Sequence, residues 1–260
     1  LEEPITVRAA CWQLEAIGAK AVPLLASQLD NPNPEIRFYT AHSLAYLNDK
    51  RAIEPLAALA RQEPAFRAMC LNALSVIDSY EAADALEKLL HTADAETRYG
   101  AVRALRHRDR SDPRIASQRI DEVGGIIEIP SAGPPLVAVS LHERPEVVIF
   151  GSNPRLALPA FHYVNPRIIL QPAANNMVML SHFAPGQDDR TAQVDNDLRS
   201  VLSGIADVGG SYGDWVSFLR EASERGFLVE PLAMNPIPTA GRVYNRTRND
   251  DREPGEHLYE

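Results

Sequence analysis

Apolar residues between Val7 and Leu105 cluster at helical period, and the clusters themselves repeat. Four windows carry the pattern: "VRAACWQLEAIG", "IRFYTAHSLAYL", "FRAMCLNALSVI" and "TRYGAVRALRHR", led by Arg8, Arg37, Arg67 and Arg98. Leu14, Leu44, Leu74 and Leu105 recur at a spacing of about thirty residues, the period of a helical hairpin. A second helix is predicted after each of the first three windows, with Leu25, Leu56 and Leu86 in equivalent places. One such hairpin cannot bury its apolar face alone, so the pattern predicts a stack in which each hairpin covers the next.

From "GGIIEIP" onward the helical period stops, and proline, glycine and β-branched residues rise. A boundary is placed near Gly124 and Gly125. The runs "PLVAVSL", "EVVIFG", "RIILQP" and "NMVMLSHF" are short, apolar and bounded by turn residues, which predicts strands of a compact sheet. A helix pair follows. Leu198, Val201, Leu202 and Ile205 share the face of a helix that Asp195 or Asn196 can cap, and "GGSYG" turns the chain into the next. There Trp215, Phe218, Leu219 and Ala222 fall at i, i+3, i+4 and i+7, and Gly226 ends the helix ahead of a predicted strand at Phe227–Val229. These apolar residues are expected to build a core rather than a binding wall.

The predicted fold class is therefore α+β. An N-terminal α-solenoid of helical hairpins spans 1–124, a small α+β domain with a short-stranded sheet and a helix pair spans 125–248, and an acidic tail expected to be flexible spans 249–260. Pro4, Pro34 and Pro64 mark repeat starts, where a missing backbone N–H costs nothing. Cys11 and Cys70 occupy the same place in repeats one and three, so a hairpin separates them, and both are expected to be free core thiols. The repeating arginines are expected to bond acids or carbonyls within the stack rather than form an anion ladder.

At 260 residues, 45% hydrophobic and 23% charged, the composition is that of a soluble globular chain, and no apolar run approaches the roughly 18 residues of a membrane span. The chain begins at Leu1 rather than methionine and is expected to be a fragment. A net charge of −9 makes nucleic acid an improbable partner. One local exception is basic: Arg98, Arg103, Arg106, Arg108, Arg110, Arg114 and Arg119, broken by Asp109 and Asp112, form a candidate interaction surface for an acidic neighbour or an anionic polymer. The alternative is a solvated face at the end of the array.

Candidate chemistry is sparse. His142, His162 and His182 lie at or near predicted strand ends, but no HExxH or comparable pair of ligands sits within one element. Asp188, Asp189, Asp195 and Asp197 lack the glycine of a calcium loop. No GxSxG, P-loop or GxGxxG occurs. No catalytic, cofactor or metal residue is assigned.

The repeats resemble short HEAT repeats: an apolar-Arg start to the first helix, the small residues Ala41, Ala73 and Ala104, and "GAKAVPLL" opening a second helix. "HERPEVVIFGSNPRLALPAFHYVNPRIILQ" is similar to a turn, valine-rich strand, glycine and strand pair of flagellar P-ring proteins. "DLRSVLSGIADVGGSYGDWVSFLREASERGFLVEPL" resembles their C-terminal end, through Leu198, Val201, Leu202, Gly210, Asp214, Phe218, Leu219, Ala222, Gly226 and Leu228. The resemblance implies a periplasmic, non-enzymatic structural subunit of a cell-envelope assembly such as the flagellar basal body. Its partners would be proteins, either copies of itself or other assembly subunits, with no cofactor. A cytoplasmic location is implied instead if the parent gene lacks a signal peptide. HEAT-like repeats also resemble those of bilin lyases, which implies an enzyme or chaperone as the alternative, and a scaffold for an anionic polymer is the third reading.

Overall fold

The computed structural model describes residues 4–120, 122–142, 144–186 and 188–239. The tail expected at 249–260 and the end of the second expected domain lie outside the described residues.

The first half is built from helical hairpins. Helices α1 (Pro4–Ile17), α3 (Pro34–Tyr46), α5 (Pro64–Val76) and α7 (Ala95–Arg108) pack side by side as one layer. Helices α2 (Val22–Ala26), α4 (Ile53–Gln62) and α6 (Tyr80–Leu89) return behind them. Pro34 and Pro64 are the first residues of their helices, where the fixed φ is already helical. Asn33, Ser79 and Asp94 cap α3, α6 and α7 by accepting from Glu35, Ala82 and Thr97 amides. The repeating leucines Leu25, Leu44, Leu56, Leu74, Leu86 and Leu105 have no exposed surface, and each stabilises the stack by on the order of 2 kcal/mol. Ala41, Ala73 and Ala104 are buried between the helices.

The leading arginines close the turns. Arg37 donates to the Asn31 and Pro32 carbonyls at 2.7 and 2.9 Å. Arg67 donates to Ala60 O at 3.2 Å and reaches Glu96 and Asp94 of the next repeat at 2.8 and 3.2 Å. Arg98 donates to Leu90 O at 3.0 Å. Arg8 differs, lying 4.5 Å over the Trp12 ring. Cys11 and Cys70 are free and buried, on α1 and α5 with α3 between them.

Strands begin at Ser117, ahead of the glycine pair where composition changes. Five form one sheet in the order β1 (Ser117–Ile120), β2 (Gly124–Ile129), β4 (Glu146–Phe150), β3 (Leu136–Val139), β9 (Leu232–Met234). Alternate residues face opposite ways, and both faces are covered. Ile127, Ile129, Leu136, Ala138, Val148 and Phe150 join the core of the helical repeats. Ile126, Val137, Val139, Val147 and Ile149 join a second core with the helix pair α8 (Leu198–Asp207) and α9 (Tyr212–Glu224). This double burial is why the strands read as continuous apolar runs. The other sheet is an antiparallel meander of β5 (His162–Asn165), β6 (Ile168–Ala173), β7 (Met177–His182) and β8 (Arg190–Asp195). Its inner side chains, among them Leu170, Val178 and Leu180, close the second core. Helix α8 packs on β7 and β8, while its Arg199 reaches Glu128 of β2 at 3.3 Å, so the helix pair lies between the sheets.

Two local expectations are corrected. Asp197, not Asp195 or Asn196, caps α8, accepting from Ser200 N at 2.8 Å, because Asp195 ends β8. Residues Phe227–Val229 are not a strand. Gly226 takes a φ of +76°, and the Phe227 and Leu228 amides both donate to Ala222 O, at 2.7 and 3.0 Å. Those donors are consumed in ending the helix and cannot join a ladder, and Val229 is left 77% exposed. The strand comes three residues later, as β9. Strand β8, at Arg190–Asp195, is one the polar composition of the segment conceals.

Trp215, Phe218 and Leu219 are fully buried in one core with Leu198, Val201, Leu202 and Phe227. The helix carries packing, not a binding wall.

Candidate protein-interaction face

The arginine cluster does not form one open surface. Arg98 is 1% exposed, lies 4.2 Å over the Phe150 ring and donates to Pro134 O at 2.6 Å. Burial pulls its guanidinium down to about 10, which still leaves it charged at neutral pH. Arg106 pairs with Glu146 at 2.8 Å. Arg108 donates to the carbonyls of Leu74, Ile77 and Ser79, tying α7 to the end of α5. Arg114 is shared among Asp84, Glu87 and Asp112. Arg103 is half-buried, and Arg110 and Arg119 are exposed on different stretches of chain. Tertiary packing thus gives Arg98, Arg106, Arg108 and Arg114 partners within the molecule.

Glu146 anchors the polar junction between the repeats and the five-stranded sheet. It is 1% exposed, accepts from the Tyr99 hydroxyl at 2.7 Å and from Arg106 at 3.0 Å, and its backbone oxygen accepts from Tyr212 at 2.8 Å. Burial raises the Tyr99 phenol, and the neighbouring carboxylate raises it further, so it stays a neutral donor. Burial likewise raises Tyr212 to about 12. The Tyr99 and Tyr212 hydroxyl protons each have a fixed acceptor, which makes the cluster a fastener rather than an acid–base pair.

The histidines do not converge. His142 is exposed; His182 is half-buried at the end of β7. His162 is buried between the Phe218 and Phe227 rings, centroids 5.8 and 5.4 Å away, with Nε2 3.7 Å from Glu221. Among the described residues no group of three His, Cys, Asp or Glu side chains is placed to hold a metal ion. Asp197 serves as the α8 cap and accepts from Asn153 Nδ2 at 2.7 Å. One nucleophile and one base do meet: Ser75 Oγ is 3.2 Å from His107 Nδ1. The hydroxyl proton, however, goes to Asn72 O at 2.7 Å, which leaves His107 as the donor and the serine unactivated.

What the repeats present outward is aromatic. On the α1/α3/α5/α7 layer Trp12 is 53% and Tyr46 46% exposed. The His42 ring lies 4.9 Å from Tyr46, and the Tyr46 hydroxyl is 3.5 Å from Asn72 Nδ2. Asn72 in turn lines a cavity of about 270 Å³ with Leu71, Ser75, Arg103, His107 and Pro238. Sequence reasoning missed this face because it followed the buried period. The signal was present, since Tyr39, His42 and Tyr46 share a stripe out of phase with Phe38, Ala41 and Leu44. A larger cavity, about 440 Å³, lies at the β1–β2–β4 end of the first sheet, between Arg119, Glu122, Arg144 and Gly124–Gly125, and its charges are of mixed sign. On the outer face of the second sheet Phe161, Tyr163 and Phe183 are all more than half exposed.

Residues 2–66 match the model of HEAT repeats, which covers the first two hairpins. No curated protein matches the chain. HEAT repeats are typically protein-interaction modules that present long helical surfaces to a partner. Among the described residues no helix is long and apolar enough to cross a membrane.

Proposed function

We propose that the chain is a non-enzymatic structural subunit that binds a protein partner through the first-helix layer of its repeats. The carrying observation is the run of His42, Tyr46 and Asn72, which leads into a cavity on the layer where Trp12 is also exposed and whose other face is committed to the core. Aromatic side chains of this kind supply most of the energy at protein interfaces. In this reading the hairpins act as a short α-solenoid. A photo-crosslinking residue placed at Tyr46 in the host cell should give a discrete protein adduct. The same residue at Leu24, equally exposed on the opposite layer, should give none. Equal labelling from both positions would remove the reading.

A finer reading is supported by the second half: an envelope-assembly subunit of the flagellar P-ring kind, located in the periplasm. Its support is the order of α8, the Gly209–Gly210 turn, the α9 helix started at Asp214 and the Gly226 stop, elements that carry the sequence resemblance; the final strand of that pattern does not form at Phe227–Val229. The exposed aromatics Phe161, Tyr163 and Phe183 offer a surface for copy-to-copy contact. Sedimentation velocity over a concentration series should show closed high-order oligomers that Tyr163→Ser abolishes, and cell fractionation should place the protein in the periplasm. A monomer at every concentration, or a cytoplasmic protein, would count against this finer reading and leave the interaction module intact.

A further inference from the structure

We infer that the partner offers the first-helix layer an extended, proline-bearing peptide segment, and that Pro238 of the chain itself occupies one end of that groove as a proline of such a segment would. The inference rests on the reading that this layer binds protein and adds the chemistry of the ligand.

After β9 the chain leaves its sheet and crosses onto the repeats. Asn235 N donates to Val139 O at 2.6 Å, and its side chain accepts from Leu141 N at 3.2 Å, which fixes the point of departure. Pro236 is buried, Ile237 packs into the repeat core, and Pro238 seats on α7 at Gly100. A Cβ at Gly100 would lie 2.8 Å from Pro238 Cγ, so the absence of a side chain makes the seat. A proline ring is therefore accommodated at the end of the groove in the folded protein.

The groove does not stop at Pro238. The cavity of about 270 Å³ continues from it over Leu71 and Ala104, flanked by the polar side chains of Asn72, Arg103 and His107. Beyond Asn72 come the Tyr46 and His42 rings. An apolar floor, the Asn72 side-chain amide at its wall and exposed aromatic faces are what an extended proline segment requires. Its prolines give no backbone N–H, its carbonyls need donors, and its rings pack on aromatic faces at small entropic cost.

A fluorescein-labelled synthetic peptide carrying two Asn-Pro-Ile-Pro units, titrated with the full chain and read by anisotropy, tests the proposal. Saturable binding is expected, with no binding of the same peptide with alanine for every proline. Tyr46→Ala and Asn72→Ala, both at exposed positions, should each weaken binding by at least about tenfold, the loss typical of an interface hot spot. Leu24→Ala, on the opposite layer, should leave it unchanged. Absent saturation, equal binding of the proline-free peptide, or indifference to both groove variants would overturn the proposal. If the peptide fails while Tyr46 still crosslinks in cells, the interaction reading stands without this ligand chemistry; if both fail, that reading falls too.

Discussion

Tyr99 on α7 donates its hydroxyl to Glu146 on β4 at 2.7 Å, and through this bond the last repeat is fastened to the centre of the five-stranded sheet. Glu146 has its other oxygen 2.8 Å from Arg106 and is 1% exposed. Removing the carboxylate leaves a guanidinium in the junction with no counter-charge. Glu146→Ala should cost about 3 to 5 kcal/mol, whereas Tyr99→Phe, which removes one hydrogen bond to a charged group, should cost about 1.5 to 3 kcal/mol. Urea unfolding of both variants checks the ranking. A Glu146→Ala protein as stable as wild type would show that the junction carries little of the fold's stability.

The parts of this molecule that could be read from its sequence are those where one physical term dominates. Leu44, Leu74 and Leu105 sit in a stack whose period is set by burial, and all three are fully buried. Strands β3 and β4 were legible because both faces are covered and nearly every residue is apolar, whereas Gly124–Ile129, equally covered, reads only as a boundary. Strand β8 was not legible: only Ala192 and Val194 turn inward, and Thr191 and Gln193 make the segment read as a loop. The internal partners of the arginine cluster were not legible for a different reason. Charge density along the chain says nothing about which acceptors folding brings near, and Glu146, Pro134 and Ile77 are supplied by tertiary structure. The Trp12–Tyr46 face was legible in principle, as a second stripe on helices already assigned.

Cys11 and Cys70 are buried free thiols, and burial pushes both thiol groups up, Cys11 to about 11. At neutral pH neither supplies thiolate, the reactive form. A thiol reagent should therefore leave the native protein unlabelled for as long as it stays folded and take up two equivalents once it is denatured. Rapid labelling of the native protein would refute the burial, and uptake of none after denaturation would reveal a disulfide.

His162 makes stability depend on pH with a definite sign. Its side chain is buried against Phe218 and Phe227, and desolvation lowers its pKa, opposed by Glu221 and reinforced by Arg225. The unfolded chain therefore takes up the proton first, near the ordinary imidazole value of about 6.5. Stability is full above that value and falls as pH drops through it towards the lowered folded value. His42, also lowered chiefly by burial, adds a term of the same sign. Urea midpoints measured from neutral pH down to pH 5 should fall less steeply in His162→Leu than in wild type. Identical slopes would assign the dependence elsewhere.

Leu219 tests whether α9 is core or binding wall. The side chain is fully buried with Trp215, Phe218 and the inward residues of both sheets. Leu219→Ala should cost about 2 to 5 kcal/mol, the penalty for a cavity in a packed core. A thermal melt of the full chain reads this directly, and an unchanged melting temperature would refute the core assignment.

Gly100 is where a substitution that ordinarily stabilises a helix should do the reverse. Glycine inside a helix costs about 0.8 to 1.0 kcal/mol relative to alanine, so Gly100→Ala in the interior of α7 would normally be a gain. Here the new Cβ would lie 2.5 Å from Leu71 Cδ1 and 2.8 Å from Pro238 Cγ. The Leu71 methyl ends a flexible side chain and can turn aside, but the Pro238 ring is rigid and must move away from α7. The net effect should be a loss of about 1 to 3 kcal/mol, the usual cost of overpacking, with the disturbance confined to the crossing segment. Hydrogen exchange should quicken at Asn235 and Ile237, whose amides are bonded to Val139 O and Asn235 O, and not at the buried strands β2 and β4. In the double variant Gly100→Ala, Pro238→Ala the clash is relieved, so stability should recover towards that of Pro238→Ala alone, a coupling that a double-mutant cycle measures. A Gly100→Ala protein that is more stable than wild type, with exchange at Ile237 unchanged, would mean that Pro238 does not seat on α7.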